Sequence, residues 1–337
     1  MSEADLDERF ELSAEWQDWV TDNALSGASA TELIEAIVEE GVERDLVERE
    51  VLRLLSSGPF RAAQRWRRQA LRYKKVHSLK VALHRGHGPQ ELERLSGVSP
   101  EVLRAHYLRA CQPVILTDVV SEWPALTRWT DEYLKQQIGH IAVTCCKGRD
   151  QHSDYNLNIS RFYTDMSFAA FLDEVSQAGE SNDLYLVGNN KFLQREGVDV
   201  LLKDLDERVE AYLTGPVSPA RASLWIGPAG TLTSLHYDPT SVLYAQIRGQ
   251  KRFRLLSPHN LAALLSSDGT YSGLSCEEAA EQMDDRVYEV TLSPGELLLI
   301  PAGWWHEVLA LTPSVSLGMT NLQGPTSFEW YYPGKVY

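Results

Sequence analysis

Through the first hundred residues the apolar positions fall three and four apart, the period of amphipathic helices. Trp16 and Val20 share one face of a helix predicted from about Ser13 to Ala24. In SATELIEAIVEEG, Ser29 and Glu32 have capping-box spacing, Leu33, Ile34 and Ile37 form a stripe, and Gly41 supplies a stop. A third helix is predicted over VERDLVEREVLRLL. After Pro59, FRAAQRWRRQALRYKKVHSLKVALHRG has no breaker before Gly86 and reads as one long helix. Ser99-Pro100 opens another short one, with serine as cap and proline in the first turn.

From about Pro113 the period changes. PVILTDVV, IAVTCC and DLYLV read as strands, TDEYLKQQIG and SFAAFLDEV as helices, the latter capped by Ser167, and VDVLLKDLDERVEAYL as a helical connection. Residues 221–322 then give eight short strands with Gly and Pro at the turns: ASLWIG, TSLHYD, SVLYAQIRG, KRFRLLS, RVYEVTL, ELLLIP, HEVLALT and SVSLGMTNL. Eight such strands predict a closed or double-sheet β architecture such as a jelly roll. The fold class expected is mainly β with helical additions: a helical N-terminal region over 1–100 and a β domain over 101–337, its core at about 221–322.

The chain has 337 residues, long enough for one large domain or two. It has no apolar run near the roughly 18 residues a membrane span needs, and its first residues are acidic where a signal peptide would be basic and then apolar. A cytoplasmic protein with no membrane partner is expected. Four cysteines, Cys111, Cys145, Cys146 and Cys276, lack CxxC spacing and are expected to be reduced and structural. A net charge of -15 argues against a nucleic-acid binder as a whole. The charge is uneven: residues 1–50 hold 16 acids and 3 bases, whereas residues 51–95 hold 11 bases and 2 acids. Either the acidic helices neutralise the basic one, or RWRRQALRYKK binds an acidic peptide or RNA, with Trp66 and Tyr73 available for stacking. The helical region could also support a homodimer.

Chemistry enters with HYD and WWH. Residues two apart in a strand face one side, so His236 and Asp238 can reach one ion while Tyr237 points away. His306, after the sharp PAGWW corner, is the best third ligand from another strand. Two imidazoles and one carboxylate capping one face of a metal, with the other face open, are the set non-haem Fe(II) oxygenases use. HxD alone also fits a surface histidine beside a turn-forming Asp-Pro. Further positions bear on the choice. Lys251 lies fifteen residues after His236, and a turn at Arg248-Gly249-Gln250 would return its strand beside HYD. An inward lysine there needs an anion, which a dicarboxylate cosubstrate supplies, although a solvated lysine among Arg252 and Arg254 also fits. Thr233 and Tyr185 could donate hydroxyls to that carboxylate. Asn321, fifteen residues after His306, could bond a carboxylate or metal-bound water, or simply cap a strand end. Trp225, Trp304, Trp305, Leu235 and Tyr244 could wall the cavity or pack a core, with Trp304 and Trp305 expected to divide. The polar segment KGRDQHSDYNLNISRFY is a candidate substrate lip, with Arg149, Asp150 and His152 as contacts or as solvated loop residues.

NDLYLVGNN, LWIGPAGTLTSLHYDPTSVLYAQIRGQKRFRLLSP, SPGELLLIPAGWWHEVLAL and SVSLGMTN, in this order, resemble the cupin-like JmjC family of Fe(II)- and 2-oxoglutarate-dependent oxygenases. Within it the nearest pattern is that of the asparaginyl hydroxylases acting on hypoxia-inducible factor. The resemblance implies a double-stranded β-helix. It places His236, Asp238 and His306 on the iron ligands, Lys251 on the lysine that pairs with the distal carboxylate of 2-oxoglutarate, Tyr185 and Thr233 on hydroxyl donors to it, and Asn321 near the metal-proximal end. Val242 departs from the pattern, standing where those hydroxylases have a second asparagine. The activity implied is hydroxylation of a side chain in a protein or peptide. Alternatives are a small metabolite or modified RNA base as substrate, or a cupin-like binding protein without catalysis.

Overall fold

In the computed structural model the described residues are 11–87, 91–152, 155–156 and 159–322. The chain divides into two compact units, Met1–His87 and Gly88–Tyr337.

The first unit is helical. Helices α1 (Ala14–Ser26), α2 (Ala30–Glu39), α3 (Arg44–Leu55) and α4 (Gly58–His87) follow the periodicity, with Ser13 capping α1 and the Ser29–Glu32 capping box opening α2. Val20, Leu33, Ile37, Val47 and Val51 close a small core. The long α4 exposes Trp66, Tyr73, Val76 and Leu79 between its basic residues. No helix among the described residues is long and apolar enough to cross a membrane.

The second unit is built on two six-stranded sheets. Its strands are β1 (Arg94–Leu95), β2 (Val114–Leu116), β3 (Ala142–Cys146), β4 (Tyr163–Ser167), β5 (Ala222–Gly227), β6 (Leu232–Tyr237), β7 (Val242–Arg248), β8 (Lys251–Leu256), β9 (Ser267–Asp268), β10 (Tyr271–Ser272), β11 (Tyr288–Leu292), β12 (Leu297–Ile300), β13 (Trp305–Ala310) and β14 (Ser314–Met319). One sheet runs β1-β2-β12-β7-β14-β5 and the other β11-β8-β13-β6-β10-β9, with β3 and β4 as a separate ribbon. The eight strands expected in residues 221–322 all form, and the chain crosses between the sheets at every step of that series except β8 to β11, which pair in one sheet, as in a jelly roll. Among the described residues all four cysteines are free thiols.

Two features depart from the sequence-based expectations. DLYLV is not a strand: Tyr185 and Leu186 make single bridges to Cys146 and Ile226. The turn at Gly249 does not return β8 beside HYD either. It sends β8 into the opposite sheet, where β13 separates it from β6. Gly249 has φ +71°, and a Cβ there would collide with the Pro313 carbonyl oxygen, so the crossing needs glycine.

Alternation decides what each face of the sheets packs against. Leu243, Ala245, Leu297, Leu299, Val315, Leu317 and Met319 face outward onto the helices Asp131–Ile138 and Phe168–Gln177. Their neighbours Val242, Tyr244, Leu298 and Ile300 point inward, against Phe253, Leu255, Val290 and Val308 of the other sheet. Leu235, Tyr237, Leu256 and Trp305 lie outside that second sheet, packed on Cys276, Ala279 and Ala280 of the helix Cys276–Met283. Of Trp304 and Trp305, expected to divide with one packing inward and one shielding the metal corner, the first packs inward but the second does not reach the metal cavity. Trp304 sits between the sheets and its indole N–H donates to the Cys111 carbonyl at 2.8 Å, while Trp305 joins the outer layer.

Candidate metal centre

His236 and His306 are direct cross-strand partners on β6 and β13, which brings their ring centroids to 4.1 Å. Asp238 follows β6 by one residue, and its Oδ2 lies 3.7 Å from His306 Nε2. One ligand atom from each of the three falls within 4.8 Å of the others.

Each imidazole is oriented from behind. His236 Nδ1 lies 2.8 Å from the Ser234 carbonyl oxygen, and His306 Nδ1 lies 2.9 Å from that of Trp304. A carbonyl only accepts, so both rings carry their proton on Nδ1 and offer the bare Nε2 lone pair. Burial and the neighbouring His236 hold the His306 imidazole well below its ordinary pKa, so it stays neutral. Burial pushes the Asp238 carboxyl up, against the pull of His236. The carboxylate nevertheless faces a cavity, with its side chain 39% exposed. A cation at the point of convergence would offset that penalty. The residues present therefore fit a divalent metal bound on one face.

The three ligands border a cavity of about 180 Å³, also lined by Arg149, Asn156, Tyr163, Tyr185, Trp225, Thr233, Val242, Tyr244 and Tyr271. A single water needs only about 10 to 15 Å³ on such a measure, so this space admits a small dicarboxylate and a reacting group. Trp225 is held edgewise between Gly188 and Gly318, where a Cβ on either glycine would strike its ring. Leu235, Trp304 and Trp305, three of the candidate wall residues, do not line it, because alternation turns Leu235 outward and the corner at Gly303 directs both indoles into packing.

Thr233 reaches the cavity by a bulge. Between His306 and Val308 the register passes from His236 to Thr233, three residues on β6 against two on β13. The extra residue puts Thr233 and His236 on the same side, where strict alternation would separate them. The Thr233 hydroxyl bonds to Tyr185, whose phenol burial pushes up to about 12.

Lys251 stands one layer behind the cavity wall. It is 1% exposed, and its ammonium donates to the phenol oxygens of Tyr185 at 3.2 Å and Tyr244 at 2.8 Å. Both phenols line the cavity. Among the described residues no carboxylate pairs with this buried charge.

Asn321 is not brought to the site. It lies two residues beyond the end of β14, and its amide donates to the Pro216 carbonyl at 3.3 Å. It does not line the metal cavity. The strand-end account of Asn321 is the one this geometry matches.

Three neighbours were not singled out in the sequence for this site. Tyr271, on the two-residue strand β10, pairs with His236 and stacks on its ring at 5.2 Å. Tyr155 and Asn156 both bond to the Ser234 hydroxyl, at 3.2 and 2.6 Å. No periodic pattern marks these polar segments, and residues 153–154 and 157–158 of the candidate substrate lip lie outside the described residues. Within that lip, Asp150 bonds to Ser181 at 3.2 Å and His152 packs beside Phe162. Arg149 is not a solvated loop residue: it is 1% exposed.

Residues 100–320 match the family model of the cupin-like domain. The chain is 29% identical over 239 residues to Jumonji C domain-containing protein 5 of Drosophila melanogaster, covering 67% of this chain and 59% of that protein. It is 30% identical over 244 residues to lysine-specific demethylase 8 of Xenopus tropicalis, covering 67% and 52%. Over 246 residues it is 24% identical to arginine-specific demethylase JMJ22 of Arabidopsis thaliana, covering 67% and 45%. The chain spans about half the length of the curated relatives it matches.

Proposed function

The chain belongs to the cupin-like domain family, and from that premise we propose that it is an Fe(II)- and 2-oxoglutarate-dependent oxygenase that oxidises a side chain of a protein or peptide. The observation that carries this reading is the conjunction of a facial His236, Asp238, His306 set with a buried Lys251 that has no carboxylate partner among the described residues. A metal-chelating dicarboxylate satisfies both at once. The names of the relatives, which are JmjC proteins and demethylases, support a protein substrate.

Fe(II) with 2-oxoglutarate supplies the oxidation of a C–H bond by dioxygen, with succinate and carbon dioxide as co-products. The chain's own residues bind and orient. The Ser234 and Trp304 carbonyls fix the two imidazoles so that no ring rotation is needed when the ion arrives. Asp238 contributes the negative charge of the set. The Tyr185 phenol and the Thr233 hydroxyl face the distal carboxylate, and the Lys251 ammonium, held behind Tyr185 and Tyr244, supplies the positive charge that balances it. Trp225, Val242, Tyr244 and Val308 wall the space and limit water. Val242 offers no hydrogen bond where the asparaginyl hydroxylases have an amide, so the cosubstrate depends more on the lysine cluster.

Hydroxylation of a side-chain carbon is the outcome we propose. Demethylation, the activity in the relatives' names, would follow if the oxidised carbon were an N-methyl group. The test is succinate release from 2-oxoglutarate with Fe(II), with and without a peptide panel, followed by mass spectrometry of the peptides. The expected result is iron-dependent succinate with a peptide gaining one oxygen. Absence of succinate from iron-loaded protein across the panel would overturn the reading.

A further inference from the structure

Arg149 is the charged residue the proposed reaction leaves without work. It opens a short helical turn (Arg149–Gln151) after β3, yet its side chain is 99% buried and lines the metal cavity. One guanidinium nitrogen, Nη2, donates to the Leu232 carbonyl at 2.7 Å, at the start of the strand that carries Thr233 and His236. The guanidinium lies over the Tyr155 ring at 4.3 Å and near the Tyr185 ring at 5.2 Å. The other two nitrogens, Nε and Nη1, are buried and have no partner among the described residues. Among the described residues no ion pair links it to the neighbouring Asp150, whose carboxylate accepts from the Ser181 hydroxyl.

A buried guanidinium with open donors is costly unless an acceptor arrives. Its fork matches a carboxylate, which takes two parallel N–H bonds. The proposed cosubstrate does not use up this charge. The ferrous ion and Lys251 would be matched by Asp238 and the two carboxylates of 2-oxoglutarate, and among the described residues lining the cavity Arg149 is the cation left over. It also differs from Lys251 in place. Lys251 lies behind Tyr244 and Tyr185 and does not line the cavity, whereas Arg149 lines it beside Tyr155 and Tyr185. Its segment leads into Tyr155, Asn156 and Tyr163, the last of these 40% exposed, so it stands towards the side from which a substrate would enter.

We propose that Arg149 anchors a carboxylate of the primary substrate inside the metal cavity, so that the substrate presents an acidic side chain or acidic terminus rather than a cation. This rests on the oxygenase reading for the location of the reacting group. A lysine or arginine side chain, as in the relatives' names, would meet an unneutralised like charge beside the metal; an acid would complete the charge balance.

The test uses the full chain loaded with Mn(II) and saturating 2-oxoglutarate. Capped glutamate, capped glutamine and capped lysine serve as probes, and Mn(II)-induced relaxation of their NMR signals reports binding near the metal. Capped glutamate is expected to bind more tightly than capped glutamine by about tenfold, the effect of one charge-assisted bond, with capped lysine weakest. Arg149→Gln should erase the preference and leave the affinity for 2-oxoglutarate, measured by calorimetry, little changed. Arg149→Lys, which keeps the charge and loses the fork, should keep a reduced preference, and it decides the matter if the glutamine variant does not fold. No preference in the wild-type protein, or a loss of 2-oxoglutarate affinity in Arg149→Gln as large as that from replacing Lys251, would overturn the proposal. Failure of the wild-type protein to bind 2-oxoglutarate would instead overturn the oxygenase reading, and the probes with Mn(II) alone would still decide the arginine.

Discussion

On the inner face of β6 and β13 stand Thr233, His236, His306 and Val308; on the outer face of the same two strands stand Leu235, Tyr237 and Trp305. The inner residues are polar or border a cavity, and their neighbours along the chain are apolar and closely packed. Tyr237 and Trp305 meet edge to face at 4.9 Å, while His236 and His306, one residue away on each strand, hold the metal face. Ligand geometry and stability are thus encoded in alternate letters of one short segment. Damage to either set should leave the other nearly intact.

The sharpest way to break that comparison is to exchange adjacent residues. His236→Ala should abolish succinate release while the thermal midpoint stays near that of the wild type, because the ring it removes faces a cavity. Retained iron-dependent turnover would show that the inner face is not the metal site. Leu235→Ala should do the reverse, lowering stability by about 2 to 5 kcal/mol in denaturant titration while the folded fraction binds 2-oxoglutarate normally. Equal loss of cosubstrate affinity and stability in that variant would mean that the two faces are coupled. Lys251→Met sharpens the comparison from the far side of the cavity. It keeps the stem and removes the ammonium, so the dissociation constant for 2-oxoglutarate should rise by about 1.5 to 3 kcal/mol in free-energy terms, measured by calorimetry. Unchanged affinity would show that the lysine serves only its two phenols.

The alternation that separates the faces was also what made the fold readable. Eight short strand-forming runs, broken by glycine and proline, pointed to the strands, and the HxD spacing to two of the three converging side chains. What alternation could not supply was departure from itself. Thr233 has the wrong parity for His236 and reaches the cavity only through a bulge set by pairing with β13. Asn321 has the right chemistry at a tempting distance from His306, but it falls beyond the end of β14, where its amide binds the Pro216 carbonyl. Sheet membership was equally hidden: a tight turn at Gly249 suggests a hairpin, and only the close approach of Pro313 shows that β8 must cross over. Arg149 and Tyr271 lie in segments with no period, where the chain gives polarity but not direction.

Trp225, clasped by Gly188 and Gly318, sets the size of the reaction chamber. A single methyl group on either glycine would have to displace the indole, and any shift into the open space would shrink it. The iron ligands lie on or beside other strands, β6 and β13, and need not move. The scaffold therefore holds a steric dial separate from its chemistry: changes of one carbon at two backbone positions can alter which side chains are admitted without altering how they are oxidised.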